Sequence, residues 1–231
     1  HFVAAVTALP INDYFPVPSV ASAGNDKIIN VWDIEKGTSF YTLIGHEDVV
    51  CSLTVTVDGL LVSSSWDKTA RVWKGPECIQ VLRGHTHSVP AVLALDNGDI
   101  VTGSADHTIK IWRNGQCIQT LKKHTDVVRS LAKLPGIGFV SAANDSVIYV
   151  WSNNGDCLQE LHGHHNYVYS VAVNPTYNEI VSCGEDRMVK IWRNGECIQT
   201  IVHPGVVWAV ATLDNGDIIT GCSDHIARIW T

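Results

Sequence analysis

LIGHEDVVCSLTVTVDGLLVSSSWDKTARVW, residues 43–73, holds most of one architectural unit. Gly45-His46 opens it, apolar runs lie on either side of Asp58-Gly59, and Ser63, Asp67 and Trp73 follow at fixed offsets. An Asp-Gly pair tolerates the positive φ of a tight hairpin, so the two runs read as paired antiparallel strands. The second strand is apolar on consecutive positions, as a sheet packed on both faces requires. With TARVW and the following CIQVL (78–82), the unit reads as four short strands.

The unit recurs along the chain. Asp is followed six residues later by Trp in six pairs: Asp26/Trp32, Asp67/Trp73, Asp106/Trp112, Asp145/Trp151, Asp186/Trp192 and Asp224/Trp230. A hydroxyl stands four residues before each Asp (Ser22, Ser63, Thr102, Ser141, Ser182, Thr220), and a His precedes five of them by 21 or 22 (His46, His85, His124, His164, His203). Asn97-Gly98 and Asn215-Gly216 mark further first-to-second-strand turns; Asn114-Gly115, Asn154-Gly155 and Asn194-Gly195 mark third-to-fourth. No long helical periodicity interrupts them. A four-stranded antiparallel unit about every 40 residues is the pattern of propeller blades.

The repeated polar residues read as braces. A His entering the blade can bond the strand-two hydroxyl and the Asp of the next turn, and the indole N–H, which needs a partner when buried, can join them. Losing one member would strand the others at about 1–3 kcal/mol. His, Ser and Asp together also resemble a hydrolase triad, but an active site occurs once and this set occurs five times complete and once without its His.

Seven cysteines raise disulfide and metal chemistry, which spacing excludes. Cys78, Cys117, Cys157 and Cys197 each occupy one slot per unit, too far apart for S–S bonds, and no C-x-x-C pair exists. They read as small buried hydrophobes in a reducing compartment. The net charge of −7 speaks against nucleic-acid binding, and no apolar run approaches the roughly 18 residues of a membrane span. No signal-peptide layout opens the sequence. The expectation is a cytoplasmic protein, or one shared with the nucleus, with no cofactor and no membrane insertion. The chain also lacks a P-loop, G-x-G-x-x-G, H-E-x-x-H or G-x-S-x-G, and His162, His164 and His165 in HGHH read as structural because His164 belongs to the brace set. Asn144-Asp145-Ser146 reads as a turn and not as a glycosylation site, and Asn174-Pro175-Thr176 is excluded by its proline.

With Gly45-His46, Gly84-His85, Gly163-His164 and the single literal Trp32-Asp33 in view, the chain resembles WD40 repeats throughout. LIGHEDVVCSL (43–53), SSSWDKTARVWK (63–74), GSADHTIKIW (103–112), SCGEDRMVKIW (182–192) and LDNGDIITGCSD (213–224) resemble in particular the phospholipase A-2-activating protein family, whose fungal members are ubiquitin-fusion degradation proteins. That resemblance implies a seven-bladed all-β propeller in a non-catalytic adaptor that binds ubiquitin or ubiquitinated proteins. It also implies recruitment of the AAA ATPase valosin-containing protein, but through other domains. Residues 1–231 are expected to be one incomplete propeller domain with repeats near 1–44, 45–83, 84–122, 123–162, 163–201 and 202–231. Six sets of first, second and third strands but five fourth strands are expected, with one blade and the closing strand missing, and with His1 two places too late to be a brace. LPINDYFPVPS (9–19) reads as an enlarged loop between the first and second strands.

The face carrying the loops into strand one and out of strand two is the expected docking surface. Two positions per unit reach it: the residue after a recurrent Val (Ala4, Cys51, Pro90, Arg129, Tyr169, Trp208) and the residue before the brace Asp (Asn25, Trp66, Ala105, Asn144, Glu185, Ser223). Trp66 and Trp208 have no slot in the repeated core, and aromatics and Arg most often anchor interfaces. Trp66, Trp208, Tyr169, Arg129, Asn25 and Glu185 are the candidate contact residues. Two other readings remain: a cullin-type ligase substrate receptor, whose Trp-Asp-x-Arg signature is replaced here by Trp32-Asp33-Ile34-Glu35, or a general structural scaffold.

Overall fold

The computed structural model describes residues 2–174 and 176–231. The expectations on His1 and on Pro175 of the Asn174-Pro175-Thr176 triplet fall outside these. The described residues form strands and turns without a helix, and therefore no helix long and apolar enough to cross a membrane. Six antiparallel meanders are present, five of four strands and one of three, as the strand census from the sequence anticipated.

Blade 1 comprises Val3–Leu9, Ser19–Gly24, Ile29–Asp33 and Thr38–Leu43. Blade 2 comprises Val50–Val55, Leu61–Ser65, Thr69–Lys74 and Glu77–Arg83. Blade 3 comprises Ala91–Ala94, Ile100–Gly103, Ile109–Arg113 and Gln116–Leu121. Blade 4 comprises Val128–Leu134, Gly138–Ala143, Ile148–Ser152 and Cys157–Leu161. Blade 5 comprises Val168–Asn174, Glu179–Gly184, Met188–Arg193 and Glu196–Val202, and blade 6 comprises Val207–Thr212, Ile218–Cys222 and Ala227–Trp230.

The blades fall into two compact units, His1–Leu121 and Lys122–Thr231, with three blades in each. In the first unit, Ile29, Leu43, Val50, Leu61 and Trp73 seal blade 1 against blade 2. Val62, Val72, Leu82, Ile100 and Trp112 do the same between blades 2 and 3. In the second unit, Val140, Ile148, Leu161, Val168 and Trp192 join blades 4 and 5, and Val181, Val189, Val207 and Ile218 join blades 5 and 6. Second strands are therefore covered on both faces: Leu61–Ser65, Gly138–Ala143 and Glu179–Gly184 are buried at every residue. The loop between Leu9 and Ser19 is packed down by its own residues. Phe15 is buried and stacks on Tyr41, Asn12 Oδ1 accepts the Tyr14 and Phe15 amides, and Asn12 Nδ2 donates to Gly59 O of blade 2.

Turn chemistry follows the sequence only in part. Asn114-Gly115 and Asn194-Gly195 both have positive φ at each residue, as a primed two-residue hairpin demands, whereas at Gly59, Gly98 and Gly216 only the glycine does. An unmarked regularity lies between second and third strands. The residue after every brace Asp (Lys27, Lys68, His107, Ser146, Arg187, His225) has φ between 64° and 67°, or 71° at Lys68. This left-handed backbone costs a non-glycine residue about 1 kcal/mol. The Asp offsets it by accepting the amide two residues on, as Asp67 Oδ1 does from Thr69 at 2.9 Å.

β-Bulges in the first strands of blades 1, 2, 4, 5 and 6 and in the fourth strands of blades 1 to 5 re-aim side chains. The first-strand bulge makes the residue after the recurrent Val the extra one: Ala4, Cys51, Arg129, Tyr169 and Trp208. The fourth-strand bulge makes Phe40, Ile79, Ile118, Leu158 and Ile198 the extra residues. An extra residue bends the strand and turns its side chain out of the alternation.

This second bulge corrects the reading of the cysteines. Cys78, Cys117 and Cys197 are exposed and Cys157 is half-buried; only Cys183 and Cys222 are buried. Counting back by twos from buried Leu82 puts Cys78 inside, but the extra Ile79 shifts the phase and Cys78 faces Trp73 from the outer side. The thiols donate across the bulge to the carbonyl two residues on, as Cys117 does to Gln119 O at 3.4 Å.

A cation stands beside each of these thiols. Arg71 Nη1 lies 3.8 Å from Cys78 Sγ. Lys110 donates to Thr120 Oγ1 beside Cys117, and Lys190 to Thr200 Oγ1 beside Cys197. In blade 4 that third-strand slot is Tyr149. The ammonium comes instead from Lys123, at the position filled elsewhere by Gly45, Gly84 and Gly163. Lys123 pairs with Glu160 and sits over the Tyr149 ring at 5.2 Å. At Gly84 a side chain would press on the Trp112 ring, 3.3 Å from where its Cβ would lie, with Lys110 Cε at 3.9 Å.

Candidate functional site

The repeated His, hydroxyl, Asp and Trp residues form closed networks in blades 2 to 5. His46, His85, His124 and His164 place Nδ1 2.7–2.8 Å from Oδ2 of Asp67, Asp106, Asp145 and Asp186. Their Nε2 atoms lie 2.7–2.8 Å from the hydroxyls of Ser63, Thr102, Ser141 and Ser182. Trp73, Trp112, Trp151 and Trp192 donate Nε1–H to the same oxygens at 2.8 Å. Because the indole can only donate and the carboxylate can only accept, one pattern satisfies all four groups. Indole donates to hydroxyl, hydroxyl to Nε2, and Nδ1–H to Asp, which requires a neutral imidazole. Burial opposes ionisation of Asp67, but the bonds from His46, Thr69 and the Glu47 amide outweigh it and hold the carboxyl well below its usual range. Asp106 is held low in the same way, and burial lowers His85 against the pull of Asp106.

The connectivity is that of a hydrolase triad, but the setting differs. Ser63, Thr102, Ser141 and Ser182 are fully buried and each oxygen already takes an indole proton, so no substrate carbonyl can approach.

The outer blades depart from the pattern. In blade 1, Trp32 donates to Ser22 at 2.8 Å and Asp26 accepts the Ile28 amide. In blade 6, Trp230 and His203 Nε2 meet Thr220 at 3.1 and 2.9 Å, but the expected bond from His203 to Asp224 is not made. Both Asp224 oxygens are taken by Arg228, and buried His203 Nδ1 has no hydrogen-bond partner. The competitor is local: Arg228, four residues past Asp224, turns back onto it, whereas Arg71, Lys110 and Lys190 at the same position turn toward the fourth strand. In the HGHH segment, His164 is a brace, His165 gives its amide to Asp186, and His162 lies 3.6 Å from Glu160.

Four of the six candidate contact residues come together in the second unit. The first strands of blades 4, 5 and 6 are joined by the Val171 amide donating to Ser130 Oγ at 3.2 Å and the Val210 amide to Ser170 Oγ at 3.3 Å. Their bulge residues therefore stand side by side. Trp208 stacks on Tyr169 at 4.7 Å between centroids and 22° between planes, and the Arg129 guanidinium carbon lies 5.9 Å from the centre of the same Tyr169 ring. The tips are pinned within their own blades. Arg129 Nε donates to Asn144 Oδ1 at 2.8 Å, and the Tyr169 hydroxyl donates to Glu185. Burial, reinforced by Glu185, pushes the Tyr169 hydroxyl up to about 12, so it stays a donor at neutral pH. The result is a pre-set row of guanidinium, phenol and indole with Trp208 54% exposed.

Trp66 and Asn25 belong to the first unit. Trp66 is 53% exposed and bonds Val49 O through its amide; Asn25 bonds Phe2 O likewise. The sequence reading placed Asn144 on this rim without a role, and its bond to Arg129 depends on the two extending toward each other across one blade. Tyr167, edge-on to Tyr169 at 6.3 Å, was not anticipated, because nothing in the repeat marks its position.

Comparison with known proteins agrees with this architecture. The family model described as WD domain, G-beta repeat matches residues 37–74, 76–113, 115–152, 155–193 and 195–231. Phospholipase A-2-activating protein of Xenopus laevis is 44% identical over 84 residues, 36% of this chain and 10% of that protein. Protein DOA1 of Saccharomyces cerevisiae (strain ATCC 204508 / S288c) is 47% identical over 58 residues, 25% of this chain and 6% of that one. Guanine nucleotide-binding protein subunit beta-5b of Danio rerio is 50% identical over 50 residues, 21% of this chain and 13% of its own length. The matches thus span only a small part of each of these relatives. Among solved structures, the WD40 beta propeller domain of Doa1 superposes with a TM-score of 0.87 at 38% identity, covering 100% of this chain and 78% of that one. The repeated braces, the six meanders and these matches together place the chain in the WD40-repeat family, as a β-propeller similar to that of Doa1 and similar over 84 residues to phospholipase A-2-activating protein.

Proposed function

We propose that the chain is a non-catalytic docking platform in a cytoplasmic or nuclear adaptor, and that ubiquitin binds it at the Arg129–Tyr169–Trp208 row. The observation that carries this reading is the row itself. Three interface-favoured side chains are aligned by bulges, held by Asn144 and Glu185, and have no part in the blade cores. Rigid aromatic anchors lose little entropy on binding. Ubiquitin presents a small apolar patch with basic surroundings, which the exposed Trp208 indole and half-buried Tyr169 phenol beside Glu185 complement. The resemblance to ubiquitin-linked adaptors supports the same partner. Recruitment of the AAA ATPase is not proposed for residues 1–231.

Titration of isotope-labelled ubiquitin with the 231-residue chain tests the proposal by NMR. Saturable shifts on ubiquitin's apolar patch are expected, with Trp208→Ala weakening binding by about 2 kcal/mol, the size of an interface hot spot. Absence of shifts at millimolar protein, or a Trp208→Ala variant that binds as well as the parent, overturns it.

A further inference from the structure

The fourth-strand bulge leaves a large apolar residue half in water in every complete blade: Phe40 42%, Ile79 50%, Ile118 49%, Leu158 50% and Ile198 48% exposed. At two places in the chain this residue overhangs a notch toward the next blade, and the two notches are built alike. Between blades 4 and 5 the notch is 110 Å3, with Leu158, Ile180 and Trp192 as apolar wall and Gln159, Asn178 and Asn194 as carboxamides. Between blades 2 and 3 it is 220 Å3, with Leu60, Ile79 and Trp112 as wall, Gln80 and Asn114 as carboxamides, and Asp58 at the mouth. Both lie at the opposite end of the strands from the first-strand bulges.

Size narrows the occupant of the larger notch. At 220 Å3 it is below the roughly 300 Å3 at which small-molecule pockets begin. It exceeds the about 150 Å3 of an apolar cavity that takes a benzene ring. One aliphatic side chain delivered by a polypeptide segment fits between these limits. The two carboxamides offer a donor and an acceptor each, matching the main-chain N–H and C=O of an extended segment.

Charge narrows it further. Exposed Asp58 is the one charged residue in the lining, and among the described residues it makes no ion pair. Arg113, next to Asn114, grips buried Asp99 through Nε and Nη2 at 2.7 and 2.8 Å, and Lys74 stands in register with Glu77. The charge that remains in the lining is the Asp58 carboxylate.

We propose that the notch between blades 2 and 3 is a second docking site, which takes an extended partner segment by one aliphatic side chain with a Lys or Arg nearby held by Asp58. It is separate from the ubiquitin site proposed above and does not rest on it.

The probe is the peptide acetyl-Ser-Leu-Ser-Lys-Ser-amide, in which alternate Leu and Lys share one face of an extended chain, titrated into the isotope-labelled 231-residue protein. Saturable millimolar binding is expected, with shifts centred on the Ile79, Gln80, Asn114 and Gly115 amides. Replacing the peptide's Leu by Ala abolishes it, Ile79→Ala in the protein weakens it, and Asp58→Asn or a peptide with Glu for Lys weakens it by about fivefold, the scale of one exposed ion pair. Both protein variants are at exposed positions, and a thermal unfolding midpoint matching the parent's checks that each one folds. No saturable shift, shifts confined to Tyr169 and Trp208, or equal binding of the Glu peptide overturns the proposal. So do notch shifts that appear on concentrating the protein alone, which would make a second copy the occupant. Trp208→Ala should leave this titration unchanged and Asp58→Asn should leave the ubiquitin titration unchanged, so failure of one site is read separately from failure of the other.

Discussion

Replacing Ser182 by Ala removes one oxygen that serves two sealed groups. Trp192 Nε1–H, 2.8 Å away, and His164 Nε2, 2.7 Å away, lose their partner together, and both residues are buried beyond the reach of water. A buried polar group left unpaired costs about 1–3 kcal/mol, so the substitution should cost about 2–4 kcal/mol once partial relaxation is allowed. That is a large share of the roughly 5–15 kcal/mol that holds a domain folded. With a urea slope of about 1–3 kcal/mol per molar, the unfolding midpoint should fall by roughly 1 M or more. Ser182→Thr keeps the hydroxyl, and Thr102 makes the same contacts in blade 3, so it should cost below about 1 kcal/mol. Thr220→Val in blade 6 should cost about half as much as Ser182→Ala, because half-buried Trp230 can turn to water. Urea unfolding followed by tryptophan fluorescence measures all three. A Ser182→Ala protein within 0.5 kcal/mol of the parent, about the spread of ordinary surface substitutions, or one no worse than Thr220→Val, would refute the brace reasoning.

Lys68→Gly and Arg187→Gly should each stabilise the fold by about 0.5–1 kcal/mol, since both positions hold positive φ without a glycine; thermal unfolding reads this as an upward shift of a few degrees. Stability should fall as the pH drops. His85 and His203 have folded pKa values below normal, so the unfolded chain takes up protons first and stability is lost from about pH 6.5 downward. The depressed carboxyls of Asp67, Asp106, Asp145 and Asp186 add a second loss below about pH 4, and urea midpoints measured from pH 8 to 3 should show both steps. In native protein, a thiol reagent should label Cys78, Cys117 and Cys197 at once and Cys183 only after unfolding, as mapped by mass spectrometry. Protection of the first three would contradict the bulge geometry.

The braces were legible because each is a chemical identity recurring at a fixed interval, and Ser141, Asp145 and Trp151 fall where that interval puts them. The bulges were not. An inserted residue alters the facing of its neighbours without altering their spacing, so Cys78 turns outward and Ile79 stands half in water with no mark in the letters. The rim positions were found by alignment on Val128, Val168 and Val207, but the stacking of Tyr169 with Trp208 depends on how two strands are set side by side, which a one-dimensional pattern does not carry. His203 was misread for a related reason. Its motif is complete in sequence, and the competitor for Asp224 is an arginine whose counterparts elsewhere turn the other way.

The exchange at Lys123 makes the blades unequal as spare parts. Blades 3 and 5 carry the same glycine, lysine and threonine in register and could trade segments freely. A consensus averaged across the repeats would write Gly at 123 and a cation, Lys or Arg, at 149. Grafting only the second change would crowd two cations around Glu160, and making only the first would leave that carboxylate without its cation. Recombination between repeats of this gene is therefore constrained to move both positions together.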